Sequence, residues 1–441
     1  MTFADPTDPI QAIRTRPMAP VQVAAVALCI AINMVDGFDV MIASFTGPGI
    51  AKAWGLKPTD LGLLFSAAPF GMMIGAVALS PLSDLFGRRR TIPLFLLLVT
   101  AGMLVSAFAP GLGVLVASRV ATGVGICATM AAINTVTAEQ SNDRRRDLAV
   151  SLQATGFPAG GALGALAFLL APGLDWRAAF LCGAILSVVL LVLALVLLPE
   201  SFGFLIARKP KGALEALNRQ LARMGLATLT RLPDPMAPQP GQSAQHPWTG
   251  LAWPASLICV SYFALMFTFY FLTSWTPKLL ADFGLAARAA VSGAMLINLG
   301  GVLGDLVFSA LAAKWPARRI GPLFMAGAFI MAVAFALAPR DLNILLPLAF
   351  LIGFLLYGAM ASLYAAVPGV FPAAVRTSGT GLALGIGRVG ATAGPYIGGL
   401  LVAAAWTRPG YVTIMSAPLI VCAIALALLS SWLATRTARD L

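Results

Sequence analysis

"FGMMIGAVALSPLSDLFGRRRTIPLF", residues Phe70 to Phe95, aligns without a gap on "LGGVLGDLVFSALAAKWPARRIGPLF", residues Leu299 to Phe324. Nine positions are identical: Gly71/Gly300, Gly75/Gly304, Ser80/Ser309, Leu82/Leu311, Arg89/Arg318, Arg90/Arg319, Pro93/Pro322, Leu94/Leu323 and Phe95/Phe324. Each copy is an apolar stretch carrying glycines four residues apart, then a turn ending in two arginines, then the start of a second apolar stretch. Self-similarity at an offset of 229 in a chain of 441 residues means two equivalent halves.

The apolar stretches on either side are membrane spans. The chain is 59% hydrophobic and only 10% charged, with a mean hydropathy of +0.89, which excludes an ordinary soluble domain. Runs of the roughly 20 residues that cross a bilayer recur at 20–45, 60–81, 91–109, 113–138, 149–171 and 178–198 (spans 1 to 6). Six more follow at 251–274, 289–311, 320–338, 343–367, 378–402 and 411–433 (spans 7 to 12). The repeat makes span 8 the counterpart of span 2. The expected fold is therefore all-α, twelve transmembrane helices in two pseudo-symmetric bundles of six. Parallel repeats of this kind hold their site near the midplane between the halves. The expected organisation is a cytoplasmic tail at 1–19, bundles at 20–199 and 251–433, a cytoplasmic linker at 200–250 and a tail at 434–441.

Charge sets the orientation. With both termini in the cytoplasm, 20 of the 29 Lys and Arg residues fall inside, seven outside and two, Arg119 and Arg388, within spans. The net charge of +12 is thus spread through short loops and does not form a nucleic-acid-binding module. The polar start "MTFADPTDPIQAIRTRP" reads as a retained cytoplasmic tail with no signal peptide. In the linker, "KGALEALNRQLARMG" reads as an amphipathic helix and "RLPDPMAPQPGQSAQHPW", with the lone His246, as a flexible tether. The five cysteines sit in spans without metal-ligand spacing. No nucleophile with a neighbouring base and no metal cluster is evident, so neither an enzyme nor a cofactor is expected.

"NMVDGFDVMIASF", Asn33 to Phe45, places Asp36 and Asp39 on one face of span 1. An ionised side chain at that depth costs at least about 2.5 kcal/mol. At 1.5 Å per residue the two carboxylates lie roughly 14 and 9 Å from the outer end of span 1, and Arg119 roughly 9 Å down span 4, so all three can share a layer. Arginine keeps its charge, and its planar fork fits a carboxylate, which suits an organic anion. One aspartate can hold the arginine while the other loads a proton, the pair titrating as a unit. Asp39, helped by Asp36, is the expected proton carrier and Arg119 the expected substrate anchor. A purely structural ion pair would account for one carboxylate and leave the second.

The motifs resemble the major facilitator superfamily. "SPLSDLFGRRR" resembles its loop signature, with Ser80 and Leu85 departing from it, and "LPESFGFL" resembles the motif after span 6. "DGFD", "RVATGVG", "YFLTSWTPKLL" and "VFPAAVRTSGTGLALGIGRVG" together resemble the aromatic acid/proton symporters. The resemblance covers nearly the whole chain outside the linker. It implies a cavity lined by spans 1, 4, 7 and 10, a small aromatic carboxylate and protons as partners, and a bacterial inner membrane location, with a monomer as the working unit. It also makes Arg388 a candidate, because Arg376 and Arg388 fall in its span 11 pattern.

Asn33, Tyr262, Met266, Phe269, Tyr357 and Tyr364 complete the candidate substrate set, their rings able to sandwich a substrate or merely to pack. Asp305, in span 8, is either a further proton-coupling residue or a structural partner of Arg388, directly or through water. At the inner surface Asp84, Arg88, Arg89, Glu139, Arg144 and Arg376 are candidate gating charges that could latch the halves, or ordinary solvated loop charges. Ala313 stands where Asp84 would repeat, so any latch is one-sided. Import with a proton is the leading expectation. An antiporter exporting organic anions or drugs is the alternative within transport, and a membrane receptor for an aromatic acid the alternative outside it.

Overall fold

The computed structural model describes residues 9–171, 175–233, 251–282, 287–371 and 375–439. The first-half spans are the helices Pro20–Trp54, Pro58–Ala78, Arg88–Ala107, Leu112–Gln140, Arg146–Leu170 and Trp176–Leu197. The second-half spans are Ala252–Asp282, Ala287–Ala312, Ala317–Leu337, Leu342–Val370, Arg376–Ala403, and a twelfth broken at Ala417 into Arg408–Ser416 and Pro418–Arg439. Among the described residues there is no strand. Eleven helices among the described residues are long and apolar enough to cross a membrane. Span 11 matches them in length but is rich in glycine and carries Arg388. The fold class read from the sequence holds.

Spans 1 and 7 run several residues past their hydropathic ends, to Trp54 and Asp282. Hydropathy marks the bilayer and not the end of the helix, which continues until a local signal stops it. For span 1 that signal is Gly55, at φ +63°, whose N–H closes on the Ala51 carbonyl as a left-handed C-cap.

Glycine explains why the two halves have the same internal packing. A Cβ on Gly71 would overlap the Val120 carbonyl, and one on Gly75 the Val124 carbonyl. At the repeat offset, to within one residue, Gly300 lies on the Phe350 carbonyl and Gly304 on the Phe354 carbonyl. The same correspondence joins Gly123 on Ala68 to Gly353 on Ile297, and Gly160 on Met34 to Gly390 on Phe263. Spans 2 and 4, 8 and 10, 1 and 5, and 7 and 11 therefore meet backbone to backbone, as small residues allow between membrane helices. A similar contact, two residues out of register, recurs at the rims. Arg177 donates to the Ala109 carbonyl at 3.2 Å, and Arg408 to the Ala338 carbonyl at 2.8 Å.

The face that carries the described part of the N-terminal segment is called the near face below. There the segment is more than a polar tail. Its helix Pro9–Thr15 buries Ile13 against Phe202, Leu217 and Leu221 of the linker helices Phe202–Arg208 and Ala213–Arg223. Apolar burial thus joins these short helices to one another, and hydrogen bonds tie them to the first half, from Asn142 to the Arg16 carbonyl at 2.9 Å and from the Ser201 hydroxyl to Glu139 at 2.9 Å. Most of the Pro-rich tether and His246 lie outside the described residues.

Candidate functional site

Arg119 and Asp39 are both completely buried. The guanidinium donates from Nη1 to Asp39 Oδ1 at 2.6 Å and from Nη2 to the Asp39 carbonyl at 2.5 Å. Phe180 of span 6 lies 5.6 Å from the guanidinium carbon, a cation–π contact inside the first bundle. The depth arithmetic brought these residues to one layer, and the structure adds the rotation. Arg119 turns into its own half, and its fork is committed to one residue of span 1.

Asp36, one turn before Asp39, is equally buried, and neither of its carboxyl oxygens has a hydrogen-bond partner among the described residues. A carboxylate there would lack every compensating interaction, whereas a carboxylic acid is neutral and loses far less. Of the two aspartates, Asp39 holds the arginine and Asp36 is the unpaired one. Asn33, a turn earlier, donates from Nδ2 to the Gln153 carbonyl of span 5 at 2.5 Å and keeps an unpartnered Oδ1.

Arg388 stands in a different place. It is 8% exposed, near the middle of span 11, and its Nη1 donates to the Tyr270 hydroxyl at 3.0 Å and to the Met72 thioether at 3.4 Å. Tyr270 belongs to span 7 and Met72 to span 2, so this cluster joins the halves. Among the described residues no carboxylate pairs with Arg388. In particular, the direct Asp305–Arg388 pair that the sequence left open does not form. Asp305 is half-buried in span 8, within electrostatic range of Tyr357 and Tyr364 instead. Cys127 of span 4 is close enough to sense both Arg388 and Asp36, which puts the second-half cation in the same zone as the first-half acid.

The aromatic candidates fall into two groups. Phe269 packs edge-on against Tyr357 at 4.8 Å and Tyr270 at 5.4 Å, and Tyr357 donates to Asn298 at 2.9 Å. These rings are occupied by one another. Tyr262 is buried with its hydroxyl unpartnered, and it meets Tyr364 edge-on at 6.1 Å. Tyr364 is 46% exposed although it sits inside the span, so it lines an open space between helices. A side chain at Gly387 would touch Tyr262 and Met266, which brings that pair beside Arg388. Sequence reasoning missed Tyr270, Met72, Asn298 and Cys127. A Tyr beside a run of Phe and a Met in an apolar span give no signal before the helices are docked.

The contacts between the halves gather at the midplane and at the face opposite the near face. Ser44 of span 1 donates to the Thr273 and Ser274 carbonyls of span 7 at 2.8 and 3.0 Å. Phe65 meets Trp275 edge-on at 5.5 Å, and Gly62 lies against Gly399. At midplane Gly161 of span 5 abuts the Asn298 side chain of span 8. The far end is shut. On the near face the candidate gating charges bond within the first half. Asp84 pairs with Arg88, while Glu139 accepts from the Ser201 hydroxyl at 2.9 Å and the Phe202 N–H at 3.0 Å. Arg89 and Arg144 are exposed, with the Arg88 and Arg89 amides capped by Glu200. The Arg376 side chain lies outside the described residues. No latch joins the halves through the described charges in this state.

Two apolar cavities lie apart from these groups. One, of about 590 Å3, is bounded by spans 1, 5 and 6, and its pseudo-symmetric counterpart, about 610 Å3, by spans 7, 11 and 12. Neither is lined by a charged residue, so the polar zone between the halves is the candidate site.

Comparison with known proteins agrees with this architecture. The Major Facilitator Superfamily model matches residues 29–367. The gallate transporter of Pseudomonas putida is 30% identical over 428 residues, covering 96% of this chain and 94% of the relative. The 4-hydroxybenzoate transporter PcaK of Pseudomonas aeruginosa is 31% identical over 420 residues, covering 92% of each. Among solved structures, the inward-open xylose transporter XylE from E. coli superposes with a TM-score of 0.71 at 16% identity, covering 92% of this chain and 95% of that one.

Proposed function

The chain belongs to the major facilitator superfamily, and on that premise we propose that it carries an aromatic monocarboxylate together with a proton into a bacterial cytoplasm. Both termini lie on the cytoplasmic side, as the distribution of Lys and Arg favours. The far face is then external and the state described above is inward-open.

One observation carries the reading. Arg388 is a permanent cation, buried between the halves, whose hydrogen-bond partners among the described residues are a phenol and a thioether and no anion. A bidentate carboxylate is the complement it lacks, and Tyr262, Tyr364 and Met266 offer ring-binding surface beside it. The relatives named for gallate and 4-hydroxybenzoate support an aromatic acid as the cargo. Arg119, buried against Asp39, keeps span 4 on span 1, and the anchoring role passes to Arg388. Asp36 takes the coupled proton because it alone of the two acids has no partner. Asp305, beside Tyr357, is a second carboxyl that the cycle can use.

Proteoliposomes test this directly. With an inward proton gradient they accumulate 4-hydroxybenzoate above the level in protein-free vesicles, faster as the outside pH falls from about 8 to 6 because the proton is a co-substrate. A protonophore abolishes the excess. Equal uptake without a gradient, or competition by sugars or lipophilic amines, refutes the proposal.

A further inference from the structure

The Arg388 cluster contains a residue whose chemistry a packing role does not explain. Met72 is fully buried on span 2, and its sulfur accepts from Arg388 Nη1 at 3.4 Å and from the Tyr270 hydroxyl at 3.9 Å. The Met72 backbone is held close against span 4 by two glycine contacts, Gly71 on the Val120 carbonyl and Gly123 on the Met72 amide. The sulfur is therefore held in place from the first half while Arg388 and Tyr270 belong to the second. At the equivalent position of the second repeat stands Gly301, covered by the Tyr357 ring. The sulfur exists at one crossing only.

We propose that Met72 is a placeholder for the substrate carboxylate, a positioning residue that acts through Arg388 in the empty carrier. The inference rests on Arg388 being the substrate anchor. A thioether is a weak, neutral acceptor. It relieves part of the cost of a buried guanidinium when no anion is present, so the empty carrier can change its face. It also yields readily to a carboxylate, whose hydrogen bonds to arginine are charge-assisted. A stronger acceptor at position 72 would hold Arg388 against the substrate, and a side chain with no acceptor would leave Arg388 short of a partner whenever the carrier is empty.

The test separates empty return from loaded exchange in proteoliposomes, with 4-hydroxybenzoate as the probe. Met72→Leu keeps the volume and removes the acceptor. Exchange of labelled for unlabelled acid, which never uses the empty carrier, stays within about twofold of wild type, while net proton-driven uptake falls about fivefold or more and the Kd tightens by about threefold. Met72→Gln, with an amide acceptor, raises the Kd about tenfold. A packing role would lower exchange and net uptake by one common factor, and that result in Met72→Leu, or an unchanged Kd in both variants, overturns the proposal. Arg388→Gln tests the anchor on its own. If that variant binds 4-hydroxybenzoate like wild type, the anchor reading falls whatever Met72 does. If it does not bind, the anchor stands, and the comparison of exchange with net uptake in Met72→Leu decides the placeholder.

Discussion

Replacing Asp36 by asparagine separates the transport of protons from the transport of substrate. Asp36 is completely buried and both carboxyl oxygens lack partners. Insertion scales put the cost of an ionised carboxylate at such depth near 3 kcal/mol, a factor of about 150 in an equilibrium constant. Binding a proton removes that cost, which is the physical basis for loading one there. Asparagine is neutral at every pH and nearly the same shape, so Asp36→Asn is expected to be at least as stable as wild type. Each proton moved down a gradient of one pH unit supplies about 1.36 kcal/mol, enough for tenfold accumulation. Wild type in vesicles at about pH 7.5 inside and 6.5 outside therefore approaches, and does not exceed, about tenfold accumulation if one proton is coupled. The variant equilibrates substrate without concentrating it. The assay is uptake of labelled 4-hydroxybenzoate set against protein-free vesicles, since the undissociated acid crosses bilayers unaided, with exchange measured in parallel. Full accumulation by Asp36→Asn would refute the assignment. So would loss of exchange in a variant that remains folded.

Arg388→Lys keeps a cation but loses the fork, and its affinity for 4-hydroxybenzoate, read by calorimetry, is expected to fall about tenfold or more. Arg119→Lys keeps the charge but loses the forked pair of bonds to Asp39 inside the first bundle, so its main effect is a lower melting temperature, by a loss of about 1–3 kcal/mol. If Arg119→Lys instead melts like wild type and loses affinity, Arg119 is the anchor after all. Gly353→Ala drives a methyl into the Ile297 carbonyl with backbone on both sides, and is expected to destabilise the second half by about 1–3 kcal/mol in thermal unfolding. Glu139→Ala frees the Ser201 hydroxyl and the Phe202 amide, so protease cleavage near the start of the linker is expected to accelerate while substrate affinity holds.

The repeat was legible because duplicated glycines and arginines sit at fixed spacing, and the spans because a bilayer demands length and apolarity. Depth was legible too, since helix rise is constant, and it brought Asp36, Asp39 and Arg119 to one level. Azimuth was not. Whether Arg119 faces the gap between the halves or the interior of its own depends on how span 4 rolls against spans 2 and 3, which is set by the glycine contacts and leaves no trace in hydropathy. For the same reason Arg388 could be singled out while its partners could not, because Tyr270 and Met72 lie on other helices and look like packing residues. The docking of Ile13 was hidden by its setting, one apolar residue in a polar segment.

The close agreement of the two scaffolds contrasts with their chemistry. At the repeat offset Asp36 and Asp39 become Leu265 and Thr268, Arg119 becomes Ala349 within one residue, and Arg388 falls back on Pro158. The fold is a pseudo-dimer in shape and a heterodimer in charge. A chain built from two copies of the first half would keep the glycine contacts within each bundle and hold two acid-and-arginine groups, but no midplane cation to receive an anion. Two copies of the second half would bind the anion twice and lack the Asp36–Asp39–Arg119 group. Only the unlike pairing sets the buried acids of the first half against the lone cation of the second, so on the proposed reading the two halves divide the labour that their shared scaffold would otherwise duplicate.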